Sequence, residues 1–428
     1  MKKSCKHIDV TNPETVKPYI RECLCRHKKR GATKKLLLND FDVTTEEYNR
    51  LLDNDAGTID TIAGKISEYV ARKIKTRTIP GFHPIIKIRH DPTTNKERMI
   101  GSQPAVQQFF DYVAVRSCEE LWKRRLVPQQ CSSIKGRGQE YGKNLIRRYI
   151  LKDNRQINYA KKHGFHYSSD CKYFVKLDIR KCYPSMDKTV VLQLFSRDCG
   201  NPDIIYLWKR LLDSYGNTET PDGKPYTGLL IGALPSQWIS QLVISYIYRY
   251  ATNHGGASHM ILFMDDMLLM GPNRRKLERL VRDTIAYTRN ELHLEIKPDW
   301  EIKELAKESI DMMGYVIHRS GKVSMRSRNF IHARRLMLRF RRGRFGARSA
   351  NRLVSYKGFF LHSNCNKVFH DYPAAKAFTA AQRMISRRKQ RESLLRQQAG
   401  NNLVSTPAGR HGQCVPAKEH QSGCTEHF

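Results

Sequence analysis

Met260-Ile261-Leu262-Phe263-Met264-Asp265-Asp266-Met267-Leu268-Leu269-Met270 sets two carboxylates in the middle of an otherwise apolar run. The apolar residues on each side suit two buried strands, and the polar centre suits the tight turn that joins them. Adjacent aspartates in such a turn repel one another, and apolar surroundings add a desolvation cost. A cation offsets both penalties. Hard carboxylate oxygens suit magnesium, which completes its octahedron with substrate phosphates. Turn aspartates also simply cap hairpins, so the pair alone leaves both readings open.

Upstream, Tyr173-Phe174-Val175-Lys176-Leu177-Asp178 reads as a second buried strand that delivers an aspartate at its end. An aspartate there often serves only as a helix N-cap. Two neighbouring strands carrying Asp178 and Asp265 at corresponding ends, however, are suited to clamp two metals, the arrangement that in-line phosphoryl chemistry uses. Helical patterns over Asp187 to Phe195, Ser236 to Ala251 and Arg274 to Glu291 surround these strands, and short strands are expected near Glu295 and from Met313 to His318. Alternation of this kind builds a split β-α-β sheet.

Further out, Ile85 to Arg89 and Lys96 to Ile100 flank the turn Asp91-Pro92-Thr93-Thr94-Asn95 and read as a basic hairpin. Residues 103–125 read as one long amphipathic helix. Capping signals place helices in the first eighty residues, with basic residues clustered from Arg26 to Lys35. Beyond Ser320 the chain turns strongly basic, and from Ser386 it is polar and aperiodic. The expected organisation is a helical basic extension (1–80), a central α+β module (81–320), a basic helical module (321–385) and a disordered tail (386–428).

Lys and Arg number 76 against 41 Asp and Glu, a net charge of +35 over 428 residues. A surplus of that size calls for a polyanion, and nucleic acid is the expected partner. A ribosomal or chromatin-like binder without chemistry shares that signature. No apolar stretch is long enough to span a bilayer, and no leader-like h-region follows the basic start. Eleven scattered cysteines suit free thiols in a reducing cytoplasm. His411, Cys414, His420, Cys424 and His427 match no common zinc spacing.

The ordered motifs resemble those of reverse transcriptases. Leu177-Asp178-Ile179-Arg180-Lys181-Cys182-Tyr183-Pro184-Ser185 is similar to motif A, Ile231-Gly232-Ala233-Leu234-Pro235-Ser236-Gln237 to motif B, and Phe263-Met264-Asp265-Asp266 to motif C. Leu292 to Lys297 resembles motif D, Met312-Met313-Gly314-Tyr315 motif E, and Ser355 to His362 a thumb segment of bacterial relatives. The Ile-Gly…Ser-Gln form of motif B, in place of the retroviral Gln-Gly…Ser-Pro, is similar to enzymes of diversity-generating retroelements and to group II intron-like and phage-defence relatives.

The resemblance implies an α+β right-hand polymerase: fingers, a ferredoxin-like split β-α-β palm, and a helical thumb. Asp178 and Asp265 would bind two magnesium ions, with manganese as a substitute, Asp266 would support them, and the Ile179 carbonyl would help ligate. Arg89, Lys96 and Arg98 would grip the triphosphate. Tyr183 would block a ribose 2′-hydroxyl, Gly232 and Gln237 would line the template and nascent-pair pocket, and Lys297 would protonate pyrophosphate. Plainer alternatives are Tyr183 as core, Lys297 as a solvated lysine and Gln237 as a helix cap. Arg334, Arg335, Arg339, Arg341, Arg342 and Arg344 would track a duplex backbone.

The implied partners are an RNA template, a DNA primer or RNA–DNA duplex, deoxynucleoside triphosphates, and a cognate non-coding RNA or accessory protein. Two rivals remain: a non-catalytic RNA-binding or maturase-like protein on the same scaffold, and an RNA-templated RNA polymerase, whose motif A normally lacks the bulky gate.

Overall fold

Capping residues fix where the opening helices begin. Asn12 accepts from the Glu14 amide and Pro13 supplies a preset φ, so α1 (Pro13–His27) starts there. After α2 (Gly31–Asp40), Thr44 and Glu47 form a reciprocal capping box ahead of α3 (Thr45–Leu52), and Asp55 caps α4 (Ala56–Lys75). Helices α1 and α4 pack together through apolar faces such as Ile20 and Leu24 against Ile62 and Ile66. The structure, a computed structural model, describes residues 2–91, 96–218, 220, 223–365 and 374–402, and divides into two units, Met1–Arg326 and Ser327–Phe428.

Strands β1 (Ile85–Asp91) and β2 (Lys96–Ser102) form the antiparallel basic hairpin, with Arg89 directly opposite Arg98. Its turn, 92–95, and the side chain of Lys96 lie outside the described residues. The single helix expected over 103–125 is two helices, α5 (Ala105–Arg116) and α6 (Glu119–Arg125). Nothing in Ser117-Cys118 forbids a helix. The break is tertiary: the Cys118 amide turns to the Val115 carbonyl, which also accepts from the buried Trp122 indole at 2.8 Å. That swings Trp122 into an aromatic cluster with Phe195 and Trp208, where each ring pair adds about 1 kcal/mol beyond its buried area.

After β3 (Gln130–Cys131) comes α7 (Gln139–His163), then β4 (Tyr173–Asp178), α8 (Cys182–Ser185), α9 (Lys188–Asp198), α10 (Pro202–Gly216) and α11 (Leu234–Asn253). The hairpin β5 (His259–Phe263) and β6 (Asp266–Gly271) leads into α12 (Arg274–Leu292) and β7 (Lys303–Glu304). These strands form one sheet in the order β3-β5-β6-β4-β7, antiparallel except for the β3–β5 pair. Val175, Leu177, Met260, Leu262, Met267 and Leu269 face the large core, to which α11 and α12 also contribute. Ile261, Leu268 and Met270 are buried on the opposite face. Burial on both faces explains why these strands read as unbroken apolar runs.

Two short elements differ from expectation. Around Glu295 a single bridge, Ile179 to Ile296, replaces a strand; Pro298 follows too closely and has no N–H to extend a ladder. The strand expected from Met313 is instead the second arm of a hairpin: β8 (Ile310–Met312) turns through Met313-Gly314 into β9 (Tyr315–Ile317), which pairs with β10 (Val323–Met325). Both turn residues have positive φ, 56° and 83°, as a type I′ turn requires.

In the second unit, α13 (Ser327–Arg341), α14 (Ala347–Leu361) and α15 (Ala374–Asn402) bury Ala333, Leu336, Met337, Leu353, Phe360 and Phe378. Helix α15 continues to Asn402, past Ser386 where the sequence loses its apolar period. Arg, Gln, Leu and Ala favour helix without needing a buried face. The tail histidines and cysteines from His411 onward lie outside the described residues.

Candidate active site

The pairing of β4 with β6 puts Asp178 directly opposite Asp266, and β5 with β6 puts Phe263 opposite Asp266. Only Met264 and Asp265 are left to make the turn, and Met264 sits at φ 55°. The chain after β4 is bound to this turn, because the Ile179 amide donates to the Asp265 carbonyl at 3.3 Å. Three carboxylates are therefore gathered at one end of the sheet.

The charge there is under-compensated. Burial pushes the Asp265 carboxyl above its usual range, and Asp178 adds to the rise while Lys297 and Arg98 oppose it. Burial, then the neighbouring charge of Asp265, raises Asp266 to about 6. Asp178 Oδ1 is buried with no hydrogen-bond partner. Its other oxygen, Oδ2, accepts from Lys297 Nζ at 2.6 Å, while the Lys297 amide donates to the Asp178 carbonyl at 2.9 Å. That hydrogen bond is the main reason the Lys297 ammonium is held above its ordinary pKa.

Among the described residues, no group of three or more His, Cys, Asp or Glu side chains forms a ready metal cage. The donor set nevertheless fits magnesium. Hard oxygens, one of them orphaned and two reluctant to ionise, want a divalent cation, and magnesium commonly takes one or two carboxylates and completes its shell from substrate phosphates. Ile179 is buried, and its carbonyl serves neither of the hydrogen bonds, Arg180 amide to Glu295 and Lys297 amide to Asp178, that flank its bridge.

Beside Asp265 opens a cavity of about 510 Å³ lined by Ile88, Glu97, Arg98, Met99, Lys181, Cys182, Tyr183, Pro184 and Ile231. Of the residues singled out from sequence, Arg98, Tyr183 and Asp265 line it. Arg89 is exposed on the same face of the hairpin as Arg98. Two cations directly opposite across a strand pair repel, and an anion between them relieves the strain. The Tyr183 hydroxyl accepts from Ser240 at 3.3 Å, and burial raises its pKa.

Gly232 has φ 101°, and a Cβ there would stand 3.1 Å from Ile100 and 3.2 Å from the Gly101 carbonyl. The loop is tighter still at Gly228, where a Cβ would fall 2.3 Å from the Pro184 carbonyl oxygen. Hydrogen bonds fasten both ends: the Gly101 amide to the Ile231 carbonyl and the Leu229 amide to the Tyr183 carbonyl, each at 2.8 Å. Gln237 is half-buried on the first turns of α11 and is not among the cavity's lining residues.

Sequence reasoning gave Lys181 and Ile231 no role, yet both line the cavity. Lys181 takes φ 45°, which carries the chain off β4 and into α8; no local signal marks such a bend. In the second unit Arg334, Arg335, Arg339 and Arg341 are exposed on α13, outside the face that buries Ala333, Leu336 and Met337. Arg342 and Arg344 follow its end, exposed around Gly343 at φ 67°.

A family model described as reverse transcriptase (RNA-dependent DNA polymerase) matches residues 90–317, a span that contains both carboxylate strands, the cavity loop and Lys297. No curated protein matches the chain. Among solved structures, apo telomerase from Candida tropicalis is similar at 11% identity and TM-score 0.43, over 85% of this chain and 78% of that one. Telomerase from Candida albicans in complex with a fragment of telomeric RNA is similar at 11% identity and TM-score 0.40, over 70% of this chain and 60% of that one.

Proposed function

The chain belongs to the reverse transcriptase (RNA-dependent DNA polymerase) family, and from that premise we propose that it copies an RNA template into DNA by two-metal nucleotidyl transfer. The observation that carries this reading is the trio Asp178, Asp265 and Asp266, gathered at one sheet end, with Asp265 lining a cavity walled by Arg98 and Tyr183.

Asp178 and Asp265, with Asp266 in support, would hold magnesium, which would supply activation of the primer 3′-hydroxyl and neutralisation of the leaving pyrophosphate; manganese is an expected substitute. The Ile179 carbonyl remains a candidate ligand. Arg98, with Arg89 across the strand pair and Lys96 near the hairpin turn, meets the triphosphate. Tyr183 sits where its ring, anchored through Ser240, excludes a 2′-hydroxyl. Gly232 lets backbone rather than side chain approach the nascent pair, and Gln237 lies one helical turn further on. Lys297 Nζ is a proton source for pyrophosphate once it lets go of Asp178 Oδ2.

The hairpin, the sheet and their helices act as fingers and palm, and the basic helices of the second unit as a thumb on a template–primer duplex. The Ile231-Gly232…Ser236-Gln237 form of motif B supports a bacterial or phage retroelement or defence setting, with a cognate RNA or accessory protein as a further partner. No helix of the described residues is long and apolar enough to cross a membrane, and the cytoplasm is the compartment we propose.

The test is extension of a DNA primer on an RNA template with deoxynucleotides and magnesium. Wild-type protein extends it, and Asp265→Asn does not while still binding RNA. Full extension by Asp265→Asn overturns the metal assignment.

A further inference from the structure

Helix α7 runs along the sheet in the direction opposite to β5. At its first turn, a Cβ on Gly142 would stand 3.1 Å from the sulfur of Cys131, whose strand partner is Phe263 beside the catalytic turn. Two turns later Tyr149 stacks on His259, at the other end of β5, with ring centroids 3.9 Å apart. Ten further residues carry the helix ~15 Å past that point to Tyr159. With the ~14 Å length of β5, the last turns of α7 lie ~30 Å from the carboxylates.

Those last turns present an unusual surface. Tyr159 is 56% exposed and Phe165 49% exposed, although large aromatics are normally drawn inward. They touch each other edge to face at 5.8 Å, and the His163 ring lies 4.3 Å from that of Tyr159. Around them Lys152, Arg155, Lys161 and Lys162 are all exposed. Between Glu140 and Asp170 the sole acidic residue is Asp153, which is buried and paired with Arg319.

Two ordinary explanations cover part of this. Gly164 at φ 71° ends the helix, and the Phe165 amide reaches back to the Ala160 carbonyl, a Schellman-like stop in which an apolar contact across the end is usual. That accounts for Phe165 meeting Tyr159, but not for both rings staying half in water. Cations in a last turn also complement the helix dipole. That accounts for Lys161 and Lys162, but not for Lys152 and Arg155, which with Tyr159 and Lys162 form one stripe at helical spacing.

We propose that this end of α7 is a binding platform for single-stranded RNA, separate from the polymerase centre. Unpaired bases stack on Tyr159 and Phe165, and the flanking phosphates meet Lys152, Arg155 and Lys162. Aromatic faces framed by cations are the chemistry that holds single strands without reading sequence. A duplex keeps its bases stacked inside and has no use for the rings. That the strand is RNA rests on the proposed function, since an RNA-copying enzyme works on a template longer than its active site covers.

The test uses the full chain and a fluorescently labelled, unstructured oligouridine, without primer or triphosphates. Tyr159→Ala/Phe165→Ala is expected to weaken binding by about tenfold or more, from the loss of one or two stacked bases, with little change in its salt dependence. Arg155→Gln/Lys162→Gln is expected to weaken binding and to flatten the slope of log affinity against log salt by ~0.7 per lost contact. Tyr159→Trp retains affinity, which separates stacking from loss of fold. All three variants still extend a short template–primer that ends within the palm. Unchanged oligouridine affinity in both double variants overturns the platform, and so does an equal loss on a blunt duplex. A loss confined to oligodeoxythymidine overturns the assignment to RNA. If the wild type extends no primer at all, the polymerase reading fails, while the oligouridine comparison still decides the platform.

Discussion

The first unit contains two hairpins that turn on two residues, and each begins its turn with a methionine. In one, Met264-Asp265 joins Phe263 to Asp266; in the other, Met313-Gly314 joins Met312 to Tyr315. Met264 and Met313 take nearly the same positive φ, 55° and 56°. The second positions differ. Gly314 stays at positive φ, completing a turn that matches strand twist at little cost. Asp265 does not, which leaves the pattern of a type II′ turn whose first position normally belongs to glycine. A non-glycine residue so placed costs of order 1–2 kcal/mol. Both hairpins carry a methionine in the left-handed region. Only one of them also crowds three carboxylates, and the gain lies in where those carboxylates point.

Exchanging the second residues is the strongest way to break this contrast. Asp265→Gly should lower primer extension by ~10³-fold or more, since it removes several kcal/mol of charge stabilisation, while thermal unfolding stays close to wild type. Gly314→Asp should do the reverse, with extension retained and ~1 kcal/mol of stability lost to the positive φ. Comparable activity losses in both variants would erase the distinction.

The aspartate hairpin is legible because each strand is buried on both faces and so reads as an unbroken apolar run around the two aspartates. The second hairpin differs from its sequence pattern by a turn's width. Met313 looks like strand when scanned alone, and only Gly314 marks the reversal. Around the cavity the limit was of another kind. Asp178, Asp265 and Tyr183 stand out by their side chains, whereas Lys181 and Ile231 reach the cavity through a backbone bend and a loop docking, which no spacing announces. The break between α5 and α6 was hidden for the same reason, because a distant aromatic cluster decides it.

A smaller effect tests whether the charge around Asp178 sharpens the contrast. Lys297→Met should reduce turnover by ~10²-fold with little change in the triphosphate KM, the size expected for loss of a general acid. A large rise in KM with unchanged turnover would assign Lys297 to ground-state binding instead.

The smallest effect is also the most specific. Met264→Gly should raise stability by about 0.5 kcal/mol, the relief of the left-handed backbone less the entropy glycine loses on folding. Met264 is 42% exposed, so little packing is lost. Met313→Gly, buried to 5% exposure at the same φ, should destabilise instead. Chemical denaturation of the two variants side by side reads both signs, and a destabilised Met264→Gly would mean the turn is not strained.

The loop from Gly228 to Gly232 has a mechanical consequence. One end is tied to the Tyr183 carbonyl and pressed against Pro184; the other is tied to the Gly101 amide and pressed against Ile100. It works as a connecting rod between the basic hairpin and the tyrosine. With sub-methyl clearances at both joints, a tilt of the hairpin has no slack to absorb it before it reaches the Tyr183 wall of the cavity. Under the proposed function, grip on the phosphates and fit around the ribose would be one movement, and a side chain added at either glycine would disturb the linkage without touching a single reacting atom.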